Sequence, residues 1–362
     1  MKEKRLDSLD MVKGIGIVLV VIGHSGYVSE GVLTWLASFH MPLFFIVSGM
    51  LFAHKRSDRE PFVPYLKRRF CGMMIPYVSF SLINLGIDAI RRIINPAAVG
   101  QEVISADILQ TVSFFGISVL WFLPTIFLGE LCLYGLMKKC PVWLLGIIGV
   151  ASAWVPSAGI WLIETYFPAG ESVFTLWLNN LCIALLRVFP ALVFLLAGYA
   201  AYYLLQKLSI QAVWEIMLGI GLLLLNAVVA FANGRVDLHY LVFHNVWYYY
   251  IGACSATFGL ILFCRHTNPL GFLLYLGKNS LIIMLTHLDL RVMNIAIHIA
   301  GAVSSIVSVW KEAVFQISLY AVLLIGELLL IVLINRFGFF LIGRRKTAES
   351  QNSGILTDRN KV

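Results

Sequence analysis

Ten apolar runs, each about long enough to cross a bilayer, leave this chain little choice of architecture. They fall at roughly 11–28, 32–53, 70–90, 117–137, 141–163, 178–204, 211–231, 241–264, 272–299 and 314–342. A helix rises 1.5 Å per residue, so about 20 residues span the hydrocarbon core, where every backbone N–H and C=O must be satisfied internally. The runs follow one another too closely to leave room for a separate soluble domain. Only 13% of the 362 residues are charged, about half the share of roughly 25% that soluble domains carry. The expected fold is an all-α integral membrane protein, a polytopic bundle of about ten transmembrane helices over residues 11–343. A cytoplasmic tail (1–10) precedes it and a polar, disordered cytoplasmic tail (344–362) follows it.

Basic residues set the orientation. One set of loops holds Lys2, Lys4, Arg5, Lys55, Arg56, Arg59, Lys67, Arg68, Arg69, Lys138, Lys139, Lys207, Arg265, Arg344, Arg345 and Lys346. The alternate set holds only Arg91, Arg92, Arg235 and Lys311, with Arg291 near the end of its run. The positive-inside rule then places both termini in the cytoplasm of a multi-pass cell-membrane protein, which requires an even number of spans. A net charge of +8 would suggest nucleic acid in a soluble chain; here it belongs to these loops, so the lipid bilayer is the expected surrounding and no nucleic-acid partner is expected. The basic start MKEKRLDSLDMVKG has the flavour of a signal peptide, but Asp7, Asp10 and Lys13 delay the apolar run and no small-residue cleavage site follows His24, so it is read as retained. The six cysteines show neither CxxC nor metal-ligand spacing, which points to buried thiols and to no metal site. Residues 91–116 read as an outside loop or amphipathic helix, and 272–299 is long and polar enough for a broken or tilted span. The absence of a visible internal repeat counts against transporter folds built from repeated halves.

The densest polar signal lies in residues 10–49, read as two spanning helices joined at Ser29-Glu30-Gly31. Lys13 and His24 are eleven residues apart, hence about 20° apart around a helix and about 16 Å along it. One stripe therefore carries a cation near the membrane edge and an imidazole deeper. Gly14, Gly16 and Gly23 on the same helix allow close approach of a neighbour. His40-Met41-Pro42 reads as a histidine beside a proline kink, suited to a cavity wall. Arg68 and Arg69 extend a cationic mouth, while Glu130 and Arg187 are intramembrane charges that need partners. Trp121 heads a Trp121-Phe122-Leu123-Pro124 segment, and Ser280, His287 and Arg291 are spaced to share one helical face. The outer stretch around Asp237, His239 and His244 to Tyr250 reads as an interfacial aromatic belt or a sugar-stacking surface. Each residue also has a plain structural reading: Lys13 snorkelling beside Asp10, histidines packing helices, arginines anchoring loops.

Arg5-Leu6-Asp7, Leu9-Asp10-Met11-Val12-Lys13-Gly14, Gly23-His24, Phe39-His40-Met41-Pro42-Leu43-Phe44-Phe45, Ser48-Gly49 and Pro76-Tyr77 resemble the membrane acyltransferase 3 family, and within it the fucose 4-O-acetylase-like branch. The likeness is densest over residues 5–82 and continues through Trp121-Phe122-Leu123-Pro124 and Gly277-Lys278-Asn279-Ser280-Leu281 to His287. A basic residue, ten intervening residues and a histidine, here Lys13 to His24, is its most specific signature. The resemblance implies about ten spans and transfer of an acyl group, usually acetyl from cytosolic acetyl-CoA, to a hydroxyl of a glycan or lipid-linked sugar. It implies His24 as the catalytic histidine and Lys13 as its basic partner, with His40 and His287 standing among further site residues. Many members carry a tyrosine near His287 where this chain has Met284, so a hydroxyl role is not carried over. A stand-alone membrane module is expected.

The chemistry fits the residues. A sugar hydroxyl is a poor nucleophile until a base takes its proton, a task suited to His24 with His40. The phosphates of acyl-CoA suit Lys13, Arg68 and Arg69, and its long pantetheine arm suits the distance from Lys13 to His24. His287, Arg291, Arg187 and Trp121 are candidates to bind the acceptor. Direct transfer and an acyl-histidine intermediate both remain open, as do the acceptor, the acyl group and the oligomeric state. The alternatives from other classes are a transporter or flippase for an envelope glycan and a non-catalytic export subunit.

Overall fold

A computed structural model describes residues 7–96, 100–166, 172–207, 210–307 and 309–344. The helices, in chain order, are α1 (Asp7–His24), α2 (Glu30–Ala37), α3 (His40–His54), α4 (Phe62–Ile94) and α5 (Gln101–Val112). A 3₁₀ turn, Ser118–Trp121, leads into α6 (Phe122–Lys139). Then come α7 (Val142–Tyr166), α8 (Val173–Leu186), α9 (Val188–Lys207), α10 (Ala212–Asn233) and α11 (Val246–His266). Last are α12 (Gly271–Lys278), α13 (Ser280–Thr286), α14 (Val292–Ser305) and α15 (Lys311–Arg336). Among the described residues the only β contact is an isolated antiparallel bridge between Asp237 and Val242.

Eight of the helical stretches are long and apolar enough to cross a membrane. Adding α1, whose 18 residues include Asp7, Asp10 and Lys13, and the segmented 271–305 stretch gives the ten spans read from the sequence. The fold is thus a polytopic helical membrane protein. Its perimeter agrees: α10 and α15 expose Val213, Leu224 and Val228, and Ile317, Ile325 and Leu329, side chains that hydrocarbon accommodates and water does not. By contrast α3 is buried on several sides at once, with Leu43, Phe45, Ile46, Val47, Met50 and Phe52 at 4% exposure or less, as befits a central helix that is apolar all round.

Several spans differ from the sequence reading. The first begins at Asp7, inside the expected tail, and stops at His24 because Gly26, at φ 75°, supplies the left-handed residue that ends a helix. The second is not kinked by Pro42 but broken before it. α2 ends at Ala37, Phe39 leaves helical geometry at φ −146°, and α3 restarts at His40. Pro42 then sits in the first turn of α3, where its missing N–H costs nothing. The third span extends to 33 residues in α4. The sixth is divided at Arg187 into α8 and α9. The ninth is broken, as its length and polarity suggested, at Asn279 and again after Thr286. Ser280, His287 and Arg291 consequently do not share one helical face: the chain leaves α13 after Thr286, and Arg291 caps α14 in the left-handed region at φ 60°. Residues 91–116 do include a helix, α5, with no buried residue. Residues 1–6 and 345–362 lie outside the described residues, so the expected disordered tail falls there.

Two backbone-to-backbone contacts hold α3 and α1 in place. Gly49 of α3 and Gly198 of α9 face each other's helices so closely that a Cβ on either would strike a carbonyl, of Leu195 and Ile46 respectively. Gly14 of α1 meets the Leu273 carbonyl of α12, and Gly277 of α12 meets the Asp10 carbonyl of α1. Small residues permit this approach, and van der Waals contact along the helices rewards it.

Candidate active site

A cavity of about 510 Å³ opens between α1, α2, α3, the start of α6, α13 and the 234–245 loop. Its position follows from where the helices stop. His24 is the last residue of α1, His40 the first of α3, Ser280 the first of α13, and Ser118 to Trp121 the turn before α6. Each break places a polar or aromatic side chain where a continuous helix would have presented packed hydrocarbon. His24, His40, Trp121, Ser118 and Ser280 line the cavity, and Asp237 and His239 close one wall.

His24 is exposed in this cavity, whereas His287 is fully buried behind it. The His24 Nδ1 and His287 Nε2 atoms lie 3.1 Å apart, and His287 Nδ1 lies 2.8 Å from the carbonyl oxygen of Ile283. A carbonyl can only accept, so the Ile283 oxygen assigns the proton of a neutral His287 to Nδ1. His287 Nε2 is then the acceptor, and His24 Nδ1–H donates to it. The consequence is that His24 keeps its Nε2 lone pair, the atom a general base needs. Each tautomer here follows from the acceptor that its ring faces. His40 repeats the logic: its Nδ1 donates to the Leu36 carbonyl at 2.6 Å across the break between α2 and α3, leaving Nε2 as its acceptor atom.

The other site candidates divide by location. Trp121 lines the cavity and is stacked by His239 at 5.4 Å and an interplanar angle of 7°. Arg187 is fully buried behind that pair. It donates from Nε to the His239 carbonyl at 2.7 Å and from Nη1 to the Phe115 carbonyl at 2.8 Å, with its guanidinium over the Phe115 and Trp121 rings. Arg187 therefore ties two loops of the wall together instead of facing the cavity. Burial, reinforced by the Arg187 guanidinium, pushes His239 down to about 3, so its ring is neutral. Arg291 is ion-paired at 2.8 Å with Asp88, which also pairs with Arg91, and it is not part of the cavity lining.

Lys13 sits at the opposite end of α1 from His24, 2.8 Å from Asp10. Arg68 and Arg69, the other two candidates for the donor phosphates, are each ion-paired as well. Arg68 is paired with Glu60 at 2.5 Å. Arg69 is paired with the fully buried Glu130, which also accepts from Ser48. A carboxylate buried in a bundle is costly without a cation, and Arg69 is the cation that meets this one.

Among the buried polar residues that the sequence reading passed over, two bond to residues next to the site histidines in the chain. Glu327, 3% exposed on α15, accepts from Thr286 Oγ1 at 2.5 Å, one residue before His287. Asn226, fully buried on α10, donates to Ser38 Oγ at 2.9 Å, two residues before His40. Both were discoverable as lone polar residues in apolar runs. Their partners were not, because those lie on helices distant in the chain.

Over residues 6–336 the chain matches the family model Acyl_transf_3, described as an acyltransferase domain. No curated protein and no solved structure matches it.

Proposed function

This chain belongs to the acyltransferase 3 family, and we propose that within it the chain acts as a fucose 4-O-acetylase-like O-acetyltransferase of the cell membrane. In this reading the donor is acetyl-CoA from the cytosol, the acceptor is a hydroxyl of a glycan or lipid-linked sugar, and both termini are cytoplasmic. The observation that supports it best is the His24–His287 pair at the cavity wall, with His24 Nε2 left as a base.

The acceptor hydroxyl occupies the cavity and gives its proton to His24 Nε2 as its oxygen attacks the thioester carbonyl. His287 accepts the His24 Nδ1–H bond and stabilises the imidazolium that forms. The carbonyl oxygen becomes an oxyanion, which the N-terminal end of α3 at His40 and Met41 favours electrostatically. Collapse expels the thiolate, which takes the proton from His24, so the ester and free thiol form with no net proton change. Lys13, about 16 Å along α1 from His24, meets the phosphate end of the donor. Asp237, His239 and Trp121 hold the acceptor at the other end of the cavity.

The test is a reconstituted assay with acetyl-CoA and an acceptor glycan, following free thiol and acetylated sugar together. Stoichiometric appearance of both is expected. Solute movement into vesicles without thiol release would identify a transporter instead.

A further inference from the structure

We propose that His40 recognises the sugar, taking a hydrogen bond from a second hydroxyl while His24 takes the proton of the first, so that the substrate is a neutral sugar with at least two free hydroxyls. The inference rests on the reaction proposed above and names the class of sugar that the cavity takes.

The break between α2 and α3 fixes the His40 ring. In an unbroken helix the Leu36 carbonyl would accept from the backbone N–H of residue 40. Here it takes the N–H of Phe39 at 3.2 Å and the Nδ1–H of the His40 side chain at 2.6 Å. Asn226 holds the break from α10, donating to Ser38 Oγ and to the Gly252 carbonyl, each at 2.9 Å. The backbone therefore sets both the orientation and the tautomer of the ring, and Nε2 keeps the lone pair. Among the described residues nothing bonds to that nitrogen, and His40 is partly exposed along the cavity wall.

His24 presents the same atom by the same logic, through His287. His40 lies within electrostatic reach of His24, and Asp237 within reach of His40. Two imidazole lone pairs thus border one cavity of about 510 Å³. A metal ion would need further ligands, and among the described residues no three His, Cys, Asp or Glu side chains gather to hold one. The hydroxyl hydrogens of a polyol are the donors that fit. Charge points to a neutral polyol. The two charged residues of the lining are Arg235 and Asp237. Arg235 pairs with Glu30 at 3.2 Å. Asp237 lies within electrostatic reach of the buried Arg187, and its Oδ1 accepts the N–H groups of His239 and Tyr240. Each cation has its carboxylate, so a sugar carboxylate would find none unmatched. A sugar without the second hydroxyl would leave the His40 lone pair unanswered, which a site built for that bond penalises.

The experiment uses full-length protein in vesicles, acetyl-CoA and a panel of probes. These are methyl fucopyranoside, its monodeoxy and mono-O-methyl derivatives, and the methyl glycosides of galactose and galacturonic acid. Binding of each is titrated by saturation-transfer NMR, and kcat/KM is followed by thiol release. Besides the hydroxyl that receives the acetyl group, one further hydroxyl should prove critical: its removal or methylation should lower binding and kcat/KM by about tenfold or more. His40→Phe, which keeps a ring without the lone pair, should bring methyl fucopyranoside down to the level of that deoxy analogue and cost the analogue nothing further. His40→Gln, whose side-chain carbonyl can accept, should recover part of the preference. The galacturonoside should be used about tenfold less well than the galactoside. Wild type treating alike every analogue that keeps the reacting hydroxyl would overturn the proposal, and this comparison needs no variant to fold. So would a panel that does not bind, or a His40→Phe variant that weakens parent and deoxy analogue by one common factor, the mark of a structural role. Equal use of the galacturonoside would overturn the neutral class. If wild type binds the panel with the expected preference yet releases no thiol, the sugar site stands and the proposed reaction falls.

Discussion

His24 exposes an imidazole to the cavity, and its chemistry depends on a ring that is not part of the cavity lining. Removing the base should cost about 10²–10⁴-fold in rate. His24→Gln is therefore expected to abolish transfer while the protein still folds and inserts; near-normal specific activity per folded molecule would end the assignment. His287→Ala should lower kcat with little change in KM, since it frees the His24 ring without touching substrate. Combined with His24→Gln it should cost nothing further, because the two rings act as one unit. Lys13 and Arg69 separate two meanings of a membrane cation. Lys13→Ala is expected to weaken the donor by roughly ten- to a hundred-fold, the value of one charge-assisted phosphate contact at about 1.5–3 kcal/mol. Arg69→Ala should instead destabilise the fold by about 3–5 kcal/mol by stranding Glu130. Joint replacement of Arg69 and Glu130 by Met and Leu should restore most of that stability. A donor-specific KM effect in Arg69→Ala without loss of stability would reverse this division.

At the scale of elements, the site is built from helix ends, and its rigidity comes from helices in backbone contact. Gly198→Leu drives a side chain into the Ile46 carbonyl of α3, and overpacking of that kind costs at least about 1–3 kcal/mol. Gly72→Leu, where a Cβ meets nothing within 4 Å, serves as the control. Thermal unfolding in detergent should drop for the first and barely move for the second; equal behaviour would mean the α3–α9 contact is not close. The 234–245 loop supplies a pH dependence. His239 titrates at about 3 in the fold, below its ordinary 6.5, so the unfolded chain binds the extra proton between those values. The stability it contributes is present above about pH 6.5 and is lost as pH falls toward 3, by at most about 1.4 kcal/mol per pH unit. His239→Phe should therefore lose less thermal stability than wild type between pH 7.5 and 5. An identical loss would remove His239 from the account.

At the scale of the whole molecule, helices from the two ends of the chain pack against each other. Asp10 meets Gly277, Asn279 meets Asn335 and Asn335 meets Arg344 at one end. Arg235 pairs with Glu30, and Gln316 donates to the Tyr27 carbonyl, at the other. Single cysteines introduced at Lys55 and Lys139, in a background without native cysteine, should be labelled only from the cytoplasm. Those at Arg235 and Lys311 should be labelled only from outside. Labelling of the position-139 variant from outside, with none at position 311, would invert the topology.

The apolar runs by themselves determined that the chain is a helical membrane protein, because hydrocarbon admits a backbone only when its polar groups bond along the same segment. Composition likewise made every intramembrane charge a question, and periodicity put Lys13 and His24 on one stripe. Which partner answers each charge was decided only by tertiary structure. Lys13 with Asp10 was within reach of local spacing, whereas Arg69 with Glu130, Arg187 with the His239 carbonyl and His24 with His287 join segments 61, 52 and 263 residues apart. Hydropathy also smoothed over the interruptions at Ser38 and Arg187, since an interrupted span stays as apolar as a continuous one, and only the length and polarity of the ninth run pointed to the break at Asn279. Those interruptions are paid for by side chains on other helices, such as Asn226 at Ser38 and Asn335 at Asn279. The sequence therefore singled out His24, and the packing of distant helices decided which of its nitrogens is left as an acceptor.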